Sequence, residues 1–152
     1  MNEATKEIIS NRRATFDYEI LEKYEVGIQL LGTEIKSLRI NGGSLQEAFI
    51  SIEKGELWLI NSSIPPYSFG NVYNHEEKRK RKLLAHAKEI QKIGAAIQEK
   101  GLTCIPLALF LRKGFAKLLI ALAKGKKVHD KREAIKARED KRAMSRLLKT
   151  TL

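Results

Sequence analysis

The chain of 152 residues has a single cysteine, Cys104, so no internal disulfide staples it. Within the apolar stretch 102–111 that thiol reads as buried and inert, not as a nucleophile. Proline is almost as scarce. Pro65 and Pro66 are adjacent and withhold two backbone donors from any ladder, which makes a loop, and Pro106 belongs near an edge or a bulge. The three histidines, His75, His86 and His129, stand far apart with no His-Cys or His-x-x-x-His spacing, so no metal site and no cofactor are expected. There is no Walker loop and no GxGxxG. The polar run Asn74, His75, Glu76 and Glu77 reads as turn and capping residues, so neither catalysis nor a small-molecule substrate is expected. No apolar run approaches the roughly 20 residues that span a bilayer, and residues 1–13 lack the apolar core of a signal peptide. The expectation is a cytoplasmic protein with no membrane partner.

Positive charge is what the chain has in excess: 29 Lys and Arg against 18 Asp and Glu, a net charge of +11. It is unevenly placed. Residues 124–152 carry 11 basic and 4 acidic side chains, most of the surplus in under a fifth of the length. A local basic tract on an otherwise ordinary domain points to a polyanionic partner. Nucleic acid is favoured, because Lys and Arg that neutralise phosphates release condensed counterions. A second tract, Lys78, Arg79, Lys80, Arg81 and Lys82, stands at the start of a long helical pattern, where exposed N-terminal amides and clustered guanidinium groups both favour a phosphate.

The apolar spacing predicts mostly strands. Between residues 15 and 31 the set Phe16, Tyr18, Ile20 and the set Val26, Ile28, Leu30 alternate with polar residues or Gly, which predicts two half-buried strands. Thr33 is a plausible N-cap for a short helix over 34–40 that turns Ile35 and Leu38 inward and Lys36 and Arg39 outward. Strands over 48–53 and 56–62 are joined by Lys54-Gly55, a tight-hairpin connection. Tyr67, Phe69 and Tyr73 ride on the proline loop. Apolar steps of three and four from Leu83 to Ile97 predict one long amphipathic helix over 78–100, stopped by Gly101. Apolar runs 102–111 and 115–123 flank Arg112-Lys113-Gly114 as a final antiparallel pair. Six antiparallel strands with a short and a long helix predict a small barrel like the oligonucleotide-binding (OB) barrels, over residues 1–123. Residues 124–152 form a basic tail that is expected to be disordered when free, since its few apolar residues cannot anchor a helix.

Five motifs stand in order along the chain: GTEIKSLR (32–39), ELWLINSSIPPY (56–67), GNVYNH (70–75), RKRKLLAHAKEI (79–90) and GKKVHDKRE (125–133). Together they closely resemble the SsrA-binding protein family, small protein B. The resemblance runs from about Asn11 to Arg146. It implies a noncatalytic bacterial RNA-binding protein of trans-translation, whose barrel binds the tRNA-like domain of transfer-messenger RNA (tmRNA) and delivers it to stalled ribosomes in place of an anticodon arm. The tail would reach the small-subunit decoding centre and the empty mRNA channel, and would be helical there. The alternative is a general or ribosomal RNA-binding protein built on the same barrel.

Residue by residue, the resemblance assigns RNA contacts to Glu34, Lys36 and Arg39 on the short helix, to Arg79, Arg81 and Lys82 in the basic run, and to Asn11 and Arg12 near the N-terminus. Lys and Arg suit phosphates, and Glu34 suits base or ribose donors, unless it simply pairs with a nearby Lys. In the tail it assigns ribosome contact to Gly125, Lys126, Lys127, His129, Asp130, Lys131 and Arg132, with His129 placed to stack on a base and Asp130 also suited to cap a helix.

Overall fold

The computed structural model describes residues 6–69 and 74–126. Its strands are β1 (Lys6–Ser10), β2 (Tyr18–Ile28), β3 (Phe49–Glu53), β4 (Glu56–Ile60), β5 (Arg81–Leu84), β6 (Thr103–Arg112) and β7 (Phe115–Gly125). Its helices are α1 (Ala14–Asp17), α2 (Gly32–Asn41) and α3 (Ala87–Lys100). The fold is mainly β, one antiparallel sheet of seven strands in the order β1-β6-β7-β2-β5-β4-β3.

Two hairpins follow from local sequence. Lys54 and Gly55 both take positive φ (52° and 76°), as do Lys113 and Gly114 (54° and 79°), the left-handed pair that matches strand twist in a two-residue turn. The β6–β7 hairpin is the longest, with registers from Thr103↔Ala123 to Arg112↔Phe115. Pro106 adjoins a register shift before Ala108, so the expected bulge is there.

The six-strand count was incorrect in three places, each for a physical reason. The two strands expected between residues 15 and 31 are one continuous strand, β2, with a register shift between Ile20 and Glu22. The extra residue, Leu21, reverses the alternation. Tyr18 and Ile20 pack with Ala14, Ile105 and Ala123 in a small cluster, whereas Tyr24, Val26 and Ile28 enter the main core. Phe16 lies in α1. The second difference is β1, whose partner β6 is some hundred residues away, so nothing local announces it.

The third concerns the long helix. It begins at Ala87, not residue 78, with Glu89 accepting from the His86 amide at 3.1 Å. Arg81–Leu84 is instead a strand, with Arg81 and Leu83 buried and Lys82 and Leu84 turned outward. The basic run therefore does not sit on a helix N-terminus, and no helix amides there are open to a phosphate. β7 also runs on to Gly125, two residues past the expected end.

The main core gathers Leu57 and Leu59 of β4, Ile93 of α3, Cys104 of β6, and Leu118 and Ile120 of β7, all essentially inaccessible. Full burial of each such aliphatic side chain contributes about 1.5–3 kcal/mol. Burial pushes the Cys104 thiol up to about 12, consistent with an inert core residue. At the end of α2 the backbone approaches β4's continuation so closely that a Cβ on Gly43 would lie 2.5 Å from the Ser63 carbonyl oxygen. The Ser44–Ser63 bridge, with amide-to-carbonyl distances of 2.8 and 2.9 Å, holds that approach.

Candidate nucleic-acid interface

Helix α2 opens without a capping side chain at Leu31. Its third residue, Glu34, reaches back to accept from the Leu31 amide at 2.7 Å. Thr33 is thus inside the first turn, not the cap. Lys36 and Arg39 are exposed, Leu38 is buried and Ile35 half-buried, the orientation that the helical spacing predicts.

Glu34 itself is fully buried, and it pairs with arginines instead of a lysine. Arg79 forks onto it, Nη2 to Oε1 at 2.7 Å and Nε to Oε2 at 3.1 Å. Arg81 donates Nε to Oε2 at 2.7 Å, with its Nη2 at 2.6 Å from the same oxygen. Burial opposes ionisation of Glu34, yet the hydrogen bonds from Arg79, the Leu31 amide and the charge of Arg81 outweigh it and hold its carboxyl below the usual range. Burial also pulls the Arg81 guanidinium down while Glu34 holds it up, and an arginine stays protonated through such opposition.

Arg81 is fully inaccessible, and its remaining donors go to the Ser62 carbonyl and hydroxyl (3.1 and 2.9 Å) and the Glu77 carbonyl (3.1 Å). A side chain so enclosed has no surface to offer a phosphate. Arg79 keeps a third of its side chain exposed at the rim. The network ties α2, β5 and the two halves of the proline loop into one unit, and any replacement that strands its buried charges costs about 3–5 kcal/mol.

The loop is laced to α2 and to itself by further side chains, among them Asn74 and His75 of the run whose polar pattern predicts only turn and capping residues. His75, buried, has Nδ1 at 2.9 Å from the Thr33 hydroxyl and Nε2 at 2.9 and 3.0 Å from the Ile64 and Pro65 carbonyl oxygens. Since two carbonyls can only accept, Nε2 is the donor to both, and Nδ1 and the Thr33 hydroxyl share the remaining hydrogen bond. Ser37 donates to the Pro65 carbonyl, and Asn74 brackets the Tyr67 backbone, donating to its oxygen at 2.7 Å and accepting from its nitrogen at 3.2 Å.

Lys80 and Lys82 of the basic run are compensated at the surface. Lys80 pairs with Glu53 at 2.5 Å and lies 4.6 Å from the Trp58 ring centroid, and Lys82 pairs with Glu56 at 2.9 Å. Exposed pairs of this kind contribute about 0–1 kcal/mol, so either lysine is free to exchange its carboxylate for a phosphate.

Asn11 and Arg12 lie elsewhere, at the other end of α2. Asn11 is half-buried and structural, donating Nδ2 to the Pro106 and Leu45 carbonyls at 2.9 and 3.2 Å. Arg12 is exposed beside an open groove of about 300 Å³ shared with Arg13, Gly43 and Gln46. Of the assigned tail residues, Gly125 pairs with Tyr18 at the end of β7, and Lys126 donates its amide to the Asp17 carbonyl at 3.0 Å and its Nζ to the Thr15 carbonyl at 3.2 Å. Lys127, His129, Asp130, Lys131 and Arg132 lie outside the described residues.

Among the described residues no three His, Cys, Asp or Glu side chains converge as a metal site, and no helix is long and apolar enough to cross a membrane. A buried carboxylate locks a helix whose outer face is cationic, on the rim of an antiparallel sheet. Fold and site together define a basic β-sheet binding module whose chemistry suits polyanions.

Known proteins resolve that class further. The family model described as "SmpB protein" matches residues 8–150. An SsrA-binding protein of Protochlamydia amoebophila is 57% identical over 149 residues, covering 98% of this chain and 97% of its own length. That of Chlamydia caviae is 53% identical over 146 residues, covering 96% and 97%, and that of Nostoc sp. is 49% identical over 149 residues, covering 97% and 96%. A solved chain described under "tmRNA-SmpB: a journey to the center of the bacterial ribosome" is 46% identical and superposes with a TM-score of 0.68, over 84% of this chain and 93% of that one. The chain belongs to the SmpB protein family.

Proposed function

We propose that the chain binds tmRNA and carries it to stalled ribosomes as a noncatalytic, cytoplasmic adaptor of trans-translation. Membership of the SmpB family, with relatives named SsrA-binding protein and a solved relative described with tmRNA and the bacterial ribosome, supports this reading. The structural observation that carries it is the Glu34–Arg79–Arg81 network, which presents α2 as a fixed ridge with Lys36 and Arg39 outward.

In this reading Lys36 and Arg39 bind RNA phosphates, joined by Arg79 at the rim, Lys82 on the sheet and Arg12 beyond the far end of the helix. Glu34 and Arg81 act through position: they hold the helix and the loop, and reach the RNA only through the groups they orient. Asn11 does the same for the Arg12 segment. The sheet curls so that β3 lies against β6, which supports an OB-like barrel as the working description of the fold. Beyond Lys126, the basic segment with Lys127, His129, Asp130, Lys131 and Arg132 contacts the small subunit at the decoding centre and the mRNA channel.

Copurification from a bacterial lysate followed by sequencing of the bound RNA tests the reading. Enrichment of tmRNA over all other RNA is expected, and recovery of unselected RNA would instead make the chain a general RNA-binding protein. Truncation after Lys126, which keeps the whole of β7 and its tie to Asp17, is expected to leave tmRNA affinity within about threefold while abolishing peptide tagging. Parallel loss of both activities would contradict the division between domain and tail.

A further inference from the structure

Phe69 is 80% exposed, the most exposed of the large apolar side chains described. It is not placed casually. Its ring and that of Tyr67 form an edge-to-face pair, centroids 5.6 Å apart and planes at 69°, which covers at most one face of Phe69 and leaves the other open. The Tyr67 ring in turn lies 5.7 Å from the Lys36 ammonium, on the exposed side of α2. Cation, closed ring and open ring therefore form a row beginning on the phosphate-binding ridge.

The loop carrying the row is held at several points: Asn74 on both polar atoms of the Tyr67 backbone, Ser37 on the Pro65 carbonyl, and His75 on the Ile64 and Pro65 carbonyls. An apolar ring exposed on a mobile tip needs no explanation. One that packs against Tyr67, whose backbone is held in this way, next to a cationic helix, is a preorganised surface, and preorganisation is where binding gains most. On α2 Leu38 enters the core and Ile40 is 59% exposed, and Phe69 is more exposed than either.

From this arrangement we infer that Phe69 is a stacking platform for one unpaired nucleobase of the bound RNA, with the phosphate of the same or the adjacent nucleotide directed to Lys36. The chemistry selects this occupant. A π-face beside an ammonium suits a flat heterocycle carrying an anionic linkage, and single-stranded or bulged bases are the RNA elements free to stack on protein rings. Duplex RNA presents no such face. The inference rests on the proposed tmRNA binding and adds a contact that reads strandedness to a site otherwise built from charge.

The test is equilibrium binding of full-length protein to tmRNA across a series of salt concentrations, with an RNA duplex of matched length as the second probe. Phe69→Ala is expected to weaken tmRNA binding about 5- to 150-fold, the range for loss of one base–aromatic stack, with no change in the slope of log K against log salt. Phe69→Leu, apolar but without a ring, is expected to lose as much, and Phe69→Trp to keep wild-type affinity. Duplex binding is expected to be unchanged in all three. In a Trp58→Phe background, the indole of Phe69→Trp is expected to be quenched as tmRNA saturates the protein.

Wild-type affinity in Phe69→Leu would overturn the stack and leave only an apolar contact. A shallower salt slope in Phe69→Ala would overturn it by showing that the substitution disturbs phosphate contacts. If the wild-type protein itself binds tmRNA no better than the duplex, the proposed function fails and the inference falls with it, a result distinct from a preference that survives loss of the ring. The exposure of Phe69 means that thermal melting should be the same in all variants, so a fold defect is recognisable at once.

Discussion

Replacing Glu34 by Gln preserves shape and removes one charge, and its cost follows from the four donors that converge on the carboxylate: the Leu31 amide, two nitrogens of Arg79 and the Nε of Arg81. The carboxamide keeps one acceptor oxygen and turns an NH2 toward a guanidinium. Arg81 would then be a fully buried cation without its anion. Breaking a buried pair in this way destabilises by about 3–5 kcal/mol, a large part of the roughly 5–15 kcal/mol available to a domain. At about 3 °C per kcal/mol for a domain of this size, the melting temperature should fall by roughly 10–15 °C. Guanidinium chloride titration at pH 7, followed by circular dichroism, measures the free-energy loss, and a thermal melt measures the fall in temperature.

Acid provides an independent check on the same group. The folded-state pKa of Glu34 is lowered from 4.5, so its stabilisation is fully present above that value and is lost as pH falls through the folded pKa. Wild-type stability should therefore decline below about pH 4.5, and Glu34→Gln should lack this part of the decline. RNA affinity should drop with an unchanged salt slope, because the variant loosens α2 without removing a phosphate contact. A loss under 1 kcal/mol at pH 7, or an acid profile parallel to wild type, would refute the assignment of Glu34 as the lock of α2.

Lys36→Ala and Arg39→Ala should each weaken tmRNA binding and lower the salt slope by about one unit, with stability within about 0.5 kcal/mol of wild type; titrations at several salt concentrations decide this, and an unchanged slope would return both residues to solvent. In alkali, Cys104 has a folded pKa raised from 9.0 to about 12 by burial, so the unfolded chain releases that proton first and stability should fall as pH rises from 9 towards 12. Cys104→Ala should flatten part of that fall, and thiol reagents should react with the wild type only in denaturant.

What could be read from sequence was whatever is decided within a few residues. Lys54-Gly55 and Lys113-Gly114 specify their hairpins by backbone conformation, Pro106 specifies irregularity, and the spacing of Lys36, Leu38 and Arg39 specifies the faces of α2. The motif order was enough to identify the family. What escaped depends on distant partners or on a change of phase. Leu21 carries a bulge that the alternation cannot show, because positions 18, 20, 24 and 26 keep one parity while their side chains enter two different clusters. Arg81 and Leu83 alternate with Lys82 and Leu84 as a strand should, but Leu83 also fits a helical spacing continued into α3, and the longer pattern dominates a four-residue one. Glu34 meets its arginines 45 and 47 residues downstream, so nothing local marks as an internal brace a carboxylate to which the resemblance assigns RNA contact.

Strand β2 joins two places that matter separately. One end leads through Leu31 into the braced helix, and the other pairs Tyr18 with Gly125, where Lys126 is tied down beside α1. At about 3.3 Å per residue its 11 residues measure roughly 35 Å. The strand thus works as a spacer bar: it keeps Lys126 a set distance from α2, so that on the proposed function RNA at one end and the ribosome at the other would not contend for the same ground.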